Sequence, residues 1–270
     1  MKNNTSENLN KGKAGTGPGI MKNMPAIVAI LLILIVWQAV CSFEIVPTYL
    51  LPSPVDVVRA LIGDASLLAS HSVVTLQEAI YGLLIGVILG ILTATLMDMF
   101  DILYRASYPI LVITQTIPTI AIAPLLILWF GFEMAPKVIL IVLATFFPLS
   151  VGLLDGFRSV DKDEIDLLRS MGAGKWKLFR YVKFPSALPN FFSGLKIATS
   201  YSVVTAVVSE WLGGFMGLGV YMTKVKKAYA FDKMFAVIIL ISLVSLVMIF
   251  IVNLIEKKCM PYRNIDEARH

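Results

Sequence analysis

The sequence is poor in most of what a soluble catalyst or a nucleic-acid binder needs. Only 15% of its 270 residues are charged, against about 25% in an ordinary soluble domain. Its two cysteines, Cys41 and Cys259, stand at opposite ends of the chain, which leaves neither a disulfide framework nor a thiolate metal site. The two histidines, His71 and His270, form no ligand spacing and read as solvent-facing. A phosphate loop of the form GxxxxGK followed by Ser or Thr is missing. The nearest text, GAGKW at 172–176, has Arg169 at the first glycine position and Trp176 in place of the hydroxyl that would hold Mg2+. No nucleophile is paired with a base, so the sequence offers no catalytic, cofactor-binding or metal-ligating residues and reads as a non-enzyme.

What is abundant is oil. Hydrophobic residues make up 57% of the chain and the mean hydropathy is +0.81. Apolar runs at 24–43, 76–97, 106–130, 137–155, 190–212 and 234–255 are each about the length that crosses a bilayer as a helix. Closed barrels are excluded because the runs do not alternate. The expected fold is therefore all-α, a polytopic membrane bundle of six transmembrane helices. The first run is too long for a signal-peptide core, and no small-residue cleavage site follows it in CSFEIVPTYLLP, so it is read as a retained span. Residues 1–23 read as a flexible cytoplasmic tail, 24–255 as the membrane domain and 256–270 as a second cytoplasmic tail.

Lys and Arg place both termini on the cytoplasmic side, since the tails and the loop at 156–189 hold most of them. The net charge of +5 is a topology signal on this reading, not a nucleic-acid footprint. The basic stretch TKVKKAYAFDK at 223–233 falls outside and runs against the trend. Residues 51–64, LPSPVDVVRALIGD, read as an amphipathic helix at the lipid surface.

Polar groups inside the spans are candidates for a path. In the third span Gln115 and Thr116 lie among Pro109, Pro118 and Pro124, each of which favours a kink. In the fifth, Thr199, Ser202, Thr205 and Ser209 fall near one face, and Glu210 follows at the outer edge. The alternative for the hydroxyls is bonding to backbone or packing between helices. For Glu210 it is a pair with Lys224 or Lys226. Gly82, Gly86 and Gly90 permit close helix approach, within the subunit or across a dimer seam. Ionisable groups are scarce within the spans, which argues against an ion-coupled secondary transporter.

The densest charge is central: EIDLLRSMGAGKWKLFRYVKFP, 164–185. Its first part has acids at the start, Ile165, Leu168 and Met171 on one face, Arg169 near the end and Gly172 as a stop, the features of a short helix. A second helical piece carries Trp176, Phe179 and Val182 on one side and cations on the other, and ends at Pro185. The apolar face of the first helix needs cover from the protein's own helix ends or from a partner.

DLLRSMGAGKWKLFRYVKFPSALP resembles the loop signature of permease subunits of bacterial ATP-binding-cassette importers, EAAxxxG, nine residues, then IxLP. Asp166 stands at the Glu position, Leu167 and Leu168 replace the alanines, Gly172 matches, and Val182, Phe184 and Pro185 take the IxLP places. APLLILWFGFEMAPKVILIVLATFFPLSVGLLDGFRSVD and VVSEWLGGFMGLGVYM are similar to spans of the nitrate, sulfonate and taurine permease group. The resemblance covers roughly residues 50–255. It implies a MetI-like permease fold in the bacterial plasma membrane, with the 160–172 helix docked in a groove of a separate ATPase. Glu164, Ile165, Asp166, Leu168, Arg169, Met171, Gly172 and Pro185 then belong to the coupling region. Implied partners are a second copy of the chain, two ATPase subunits that bind the ATP and Mg2+, and an extracytoplasmic solute-binding protein. The solute is expected to be a small sulfonate-, taurine- or nitrate-like anion or a thiamine-type precursor. The rival reading outside transport is a membrane scaffold that recruits a soluble protein through the same loop.

Overall fold

A computed structural model describes residues 20–47 and 49–260. The expected tails at 1–23 and 256–270 therefore lie largely outside the described residues, as does His270. Among the described residues every regular element is helical. The chain divides into two compact units, residues 1–55 and 56–270.

The first unit holds α1, Ile20–Ser42, four residues longer at its start than the apolar run. It is apolar on all sides, which suits a helix surrounded by lipid. Trp37 Nε1 donates to the Pro52 carbonyl at 3.1 Å, folding the following segment back along the helix end.

The second unit contains all but the first two residues of α2 (Pro54–Gly63), then α3 (Ala65–Met99), α4 (Asp101–Thr116), α5 (Thr119–Phe130), α6 (Met134–Arg158), α7 (Lys162–Ser170) and α8 (Lys175–Leu178). A π-helical turn at Phe179–Lys183 leads into α9 (Phe184–Leu212), followed by α10 (Leu218–Lys227) and α11 (Phe231–Cys259). Helix α2 buries Val57 and Ala60 and leaves Val55, Val58 and Ile62 exposed among the described residues, which suits a helix at the lipid surface.

Helix α6 is the centre of this unit. Gly82, Gly86 and Gly90 of α3 lie against Ile141, Thr145 and Leu149 of α6, so the glycine stripe is spent on packing within the chain. A Cβ on Gly90 would stand 2.9 Å from that of Leu149. Each glycine meets the residue 59 positions later, the same offset that joins Glu78 to Lys137. A constant offset means that the two helices run parallel. On the other side of α6, Gly156 meets Ala187, and Gly194 approaches the Pro148 carbonyl. There the order is reversed, so α9 is antiparallel to α6. Buried Ile141, Leu149, Ala198, Val203 and Met248 fill one core cluster, and Met97, Leu153, Leu154, Phe157 and Ala187 a second.

Among the described residues five helices are long and apolar enough to cross a membrane, and α4 with α5 makes a sixth if the pair is one span. The parallel register of α3 and α6 requires an odd number of crossings between them. Helices α4 and α5 supply one together, although the chain bends by 94° between them. Of the three prolines expected to kink this span, Pro118 makes the break. It holds Ile117 in an extended conformation (φ −84°, ψ 118°), while Pro109 and Pro124 stay inside α4 and α5.

Candidate functional site

The register of the bundle gathers its polar groups at two opposite ends and around one cleft between them. The ends of α3, α6 and α11 and the start of α9 share one side with the 156–189 loop. Lys183 bonds both carboxylate oxygens of Asp98 at 2.7 and 2.9 Å. Lys196 is ion-paired with Glu256 at 2.5 Å, so its ammonium has a partner at the bundle's edge. Arg158 lies over the Tyr104 ring, 3.3 Å from its centre.

Helix α7 is built as its sequence dictates. The Asp161 side chain caps it by accepting from the Asp163 N–H at 3.0 Å. At the other end Gly172 takes φ +81°, while Ala173 N–H donates to Leu168 O at 3.0 Å and Gly172 N–H to Arg169 O at 2.9 Å. That is a Schellman turn, which favours glycine at this position. Ile165 and Leu168 are half-buried, whereas Leu167 and Met171 are 63% and 74% exposed. Met171 therefore leaves the face it was expected to share with Ile165 and Leu168. Asp166 and Arg169 are ion-paired with each other at 3.4 Å in the open. Glu164 is exposed too.

The second helical piece differs from expectation. It is not a separate surface helix ending at Pro185. Helix α8, the π turn and α9 form one continuous rod of 38 residues. The π turn widens the backbone ahead of Pro185, which lets the rod continue through a residue that has no N–H to donate. The wider turn also rotates the buried face to Leu178 and Val182, leaving Trp176 64% exposed.

The bend between α4 and α5 opens a cleft of about 610 Å3. Thr114, Gln115, Thr119, Tyr201 and Thr205 line it with polar groups, and Ile117, Ile122, Leu143, Phe146 and Val204 are among its apolar wall. Gln115 and Thr205 are thus brought together. Thr116 is exposed, and its hydroxyl donates to the Ile113 carbonyl. Thr199, Ser202 and Ser209 are buried, each bonded to a carbonyl of its own helix.

At the other end, three ionisable side chains meet inside the bundle. Lys137 Nζ donates to Glu78 Oε1 at 2.6 Å, with the lysine 5% and the glutamate 1% exposed. Glu210, also 1% exposed, accepts from Thr75 Oγ1 at 2.7 Å through Oε1 and from the Gly219 N–H at 2.6 Å through Oε2. Its partners are therefore not Lys224 or Lys226, which are exposed on α10. His71 corrects another expectation. It is 4% exposed, accepts the Gly217 N–H at 2.9 Å through Nδ1, and packs its ring 5.6 Å from that of Tyr221. Thr75 Oγ1 takes the Leu218 N–H at 2.9 Å. Three successive N–H groups at the start of α10 are thus held by side chains of α3 and α9. Gly217 has φ +126°, and a Cβ there would collide with the Glu210 carboxyl group, so only glycine fits.

The sequence places Glu78 and Glu210 near the ends of their spans but does not foresee the buried cluster that they form with Lys137. A signal for it was present in the sequence: His71, Thr75, Glu78, Gly82, Gly86 and Gly90 follow helical spacing, so the polar residues continue the buried glycine stripe.

Just beyond it, Asp64 accepts from Tyr221 Oη at 2.6 Å and pairs with Lys233 at 2.7 Å. The hydrogen bond from Lys233, aided by that from Tyr221, holds the Asp64 carboxyl below the usual range. Burial, with Asp64 adding to it, pushes the Tyr221 phenol up.

Residues 86–260 match the family model of the binding-protein-dependent transport system inner membrane component. The chain belongs to that family. This inner-membrane component is 39% identical over 221 residues to a probable ABC transporter permease protein of Haemophilus influenzae, covering 82% of this chain and 90% of that one. It is 38% identical over 234 residues to the formylaminopyrimidine transport permease protein ThiX of Halalkalibacterium halodurans, covering 86% and 93%. Relatives of 25–30% identity include permease proteins for aliphatic sulfonates, taurine and nitrate. The fold matches a crystal structure of an amino acid ABC transporter with a TM-score of 0.61 and 19% identity, over 73% of this chain and 96% of that one. The protein is therefore a multi-pass permease subunit of an ATP-binding-cassette importer for small solutes, and the MetI-like fold is the observed one. Within the inner-membrane component, the loop, the cleft, Lys137 and Glu210 fall in the family region, whereas Glu78 precedes it.

Proposed function

We propose that this permease subunit carries its solute past the cleft of Gln115, Tyr201 and Thr205, and is driven by a separate ATPase gripping α7. The supporting observation is α7 itself. A nine-residue helix with its own cap and glycine stop presents Leu167 and Met171 to water, and nothing among the described residues covers them. Such a face suits insertion into a groove of a partner. The ATPase supplies ATP and Mg2+ binding, and a pair of these chains with two ATPases and an external solute-binding protein makes the working assembly. The loop end is cytoplasmic on this reading, as are both termini, in keeping with the Lys and Arg in the loop and tails. ATPase motion reaches the bundle as a rigid displacement along the α8–α9 rod.

For the solute we favour a small uncharged heterocycle of the formylaminopyrimidine kind over a sulfonate or nitrate. Identity is higher to the relative of that name, and the cleft offers amide, hydroxyl and aromatic groups suited to a neutral ring. Reconstitution with the cognate ATPase and binding protein tests both points. Gly172→Val and Asp166→Lys are expected to leave the protein inserted and ATP hydrolysis measurable while uptake falls; unimpaired uptake in both overturns the coupling role. Competition by taurine or nitrate, with none by a formylaminopyrimidine, overturns the solute class alone.

A further inference from the structure

The buried cluster has one atom too few in its ordinary ionised form. Glu78 Oε1 is bonded by Lys137, but Glu78 Oε2 is buried and is the one such side-chain nitrogen or oxygen among the described residues with no partner. Thr75, whose hydroxyl bonds Glu210, stands three residues before Glu78 on the same face of α3, which sets the Glu210 carboxyl group beside Glu78. Two ionised carboxylates cannot bond each other, since both only accept. Their charges also repel strongly where water is excluded. With Lys137 as the one buried cation, the fully ionised cluster has a net negative charge.

The surroundings do not cancel it. Helix α3 contributes His71 and Glu78, α6 Lys137, α9 Glu210, and α10 Tyr221 and Lys224. His71 accepts a backbone N–H through Nδ1, so that nitrogen bears no proton. Lys224 is exposed to solvent.

We propose that the cluster holds one resident proton, carried by Glu210 and donated to Glu78 Oε2. Glu78 is the anion because its other oxygen is bonded by the Lys137 ammonium at 2.6 Å. Glu210 is bound only by neutral groups, the Thr75 hydroxyl and the Gly219 N–H. The proton turns a repulsion into a bond, leaves Glu78, Lys137 and Glu210 neutral as a set, and supplies the missing partner of Glu78 Oε2. It also completes a latch. The same Glu210 carboxyl joins α3 through Thr75 and Glu78 and the start of α10 through Gly219, so one proton helps fasten three elements at this end of the bundle.

Infrared spectroscopy of the purified full-length protein in lipid nanodiscs tests this. At neutral pH the wild type is expected to show the C=O stretch of a protonated buried carboxyl group, shifted on transfer to D2O and absent from Glu210→Gln. A glutamine replaces a protonated carboxyl in shape and charge, so E210Q is expected to yield folded, inserted protein within about twofold of wild type. Glu78→Gln strips Lys137 of its counter-ion and is expected to lower that yield about tenfold or more. No such stretch in the wild type overturns the proposal, whatever the variants do. So does a stretch that persists in E210Q, an E210Q protein too unstable to purify, or E78Q tolerated better than E210Q.

Discussion

The two ends of the bundle spend charge in opposite ways. Around Lys137 three ionisable groups are sealed between helices and bonded to one another or to backbone. On α7, Asp166 and Arg169 have side chains 71% and 62% exposed and pair only along their own helix. A buried ion pair stabilises little on balance but is costly to break, because the remaining charge has no water. An exposed pair can be lost with small effect on stability, leaving its residues free to serve another surface. One end is therefore rigid by construction, and the other is shaped to be held from outside.

The strongest way to break this contrast is Lys137→Ala. It leaves Glu78 buried without its cation and is expected to destabilise the fold by about 3–5 kcal/mol, seen as loss of inserted protein and a lower unfolding midpoint in detergent. Next comes Gly90→Leu. Its side chain would enter the α3–α6 seam, where even a Cβ stands 2.9 Å from that of Leu149, at a cost of about 1–3 kcal/mol. The same substitution at Gly172 meets open space. There only the φ of +81° is strained, so Gly172→Ala is expected to cost about 1–2 kcal/mol in α7 alone. Hydrogen exchange should then rise at the end of α7 while the global midpoint stays put.

These differences explain how much the sequence could tell. Helix number, the α7 cap and stop, and the glycine stripe follow from local rules, since bilayer length, Asp161 and Gly172 act over a few residues. The charged knot depends on register between helices. Glu78 and Lys137 are 59 residues apart, and neither position alone marks the other as its partner. The α8–α9 rod escaped for a different reason. A proline after a charged stretch reads as a stop, but a π turn ahead of Pro185 lets the helix continue. The cleft likewise required knowing which of three prolines breaks its helix.

Smaller effects sharpen the comparison. Asp64 lies at the rigid end but is partly open, its side chain 22% and that of Lys233 40% exposed. Because its carboxyl is held below the ordinary range, the stabilisation is complete above that range and is lost as pH falls through the lowered value. The unfolding midpoint is expected to drop more steeply in acid for wild type than for Asp64→Asn, with a contribution below about 1 kcal/mol after solvent screening.

The smallest effect on stability is expected from Arg169→Ala. Its one ion pair is with Asp166, three residues away on an exposed helix, worth at most about 0.5 kcal/mol. Midpoint and insertion should match wild type. Yet Arg169 also lines a pocket of about 260 Å3 between α7, Asp98 and the α8 turn. If α7 is the surface gripped by the ATPase, removing this cation should lower coupled uptake without altering stability, as Lys137→Ala cannot. Uptake and stability falling together for Arg169→Ala would show that the loop end belongs to the rigid part of the molecule, and the contrast between the two ends would fail.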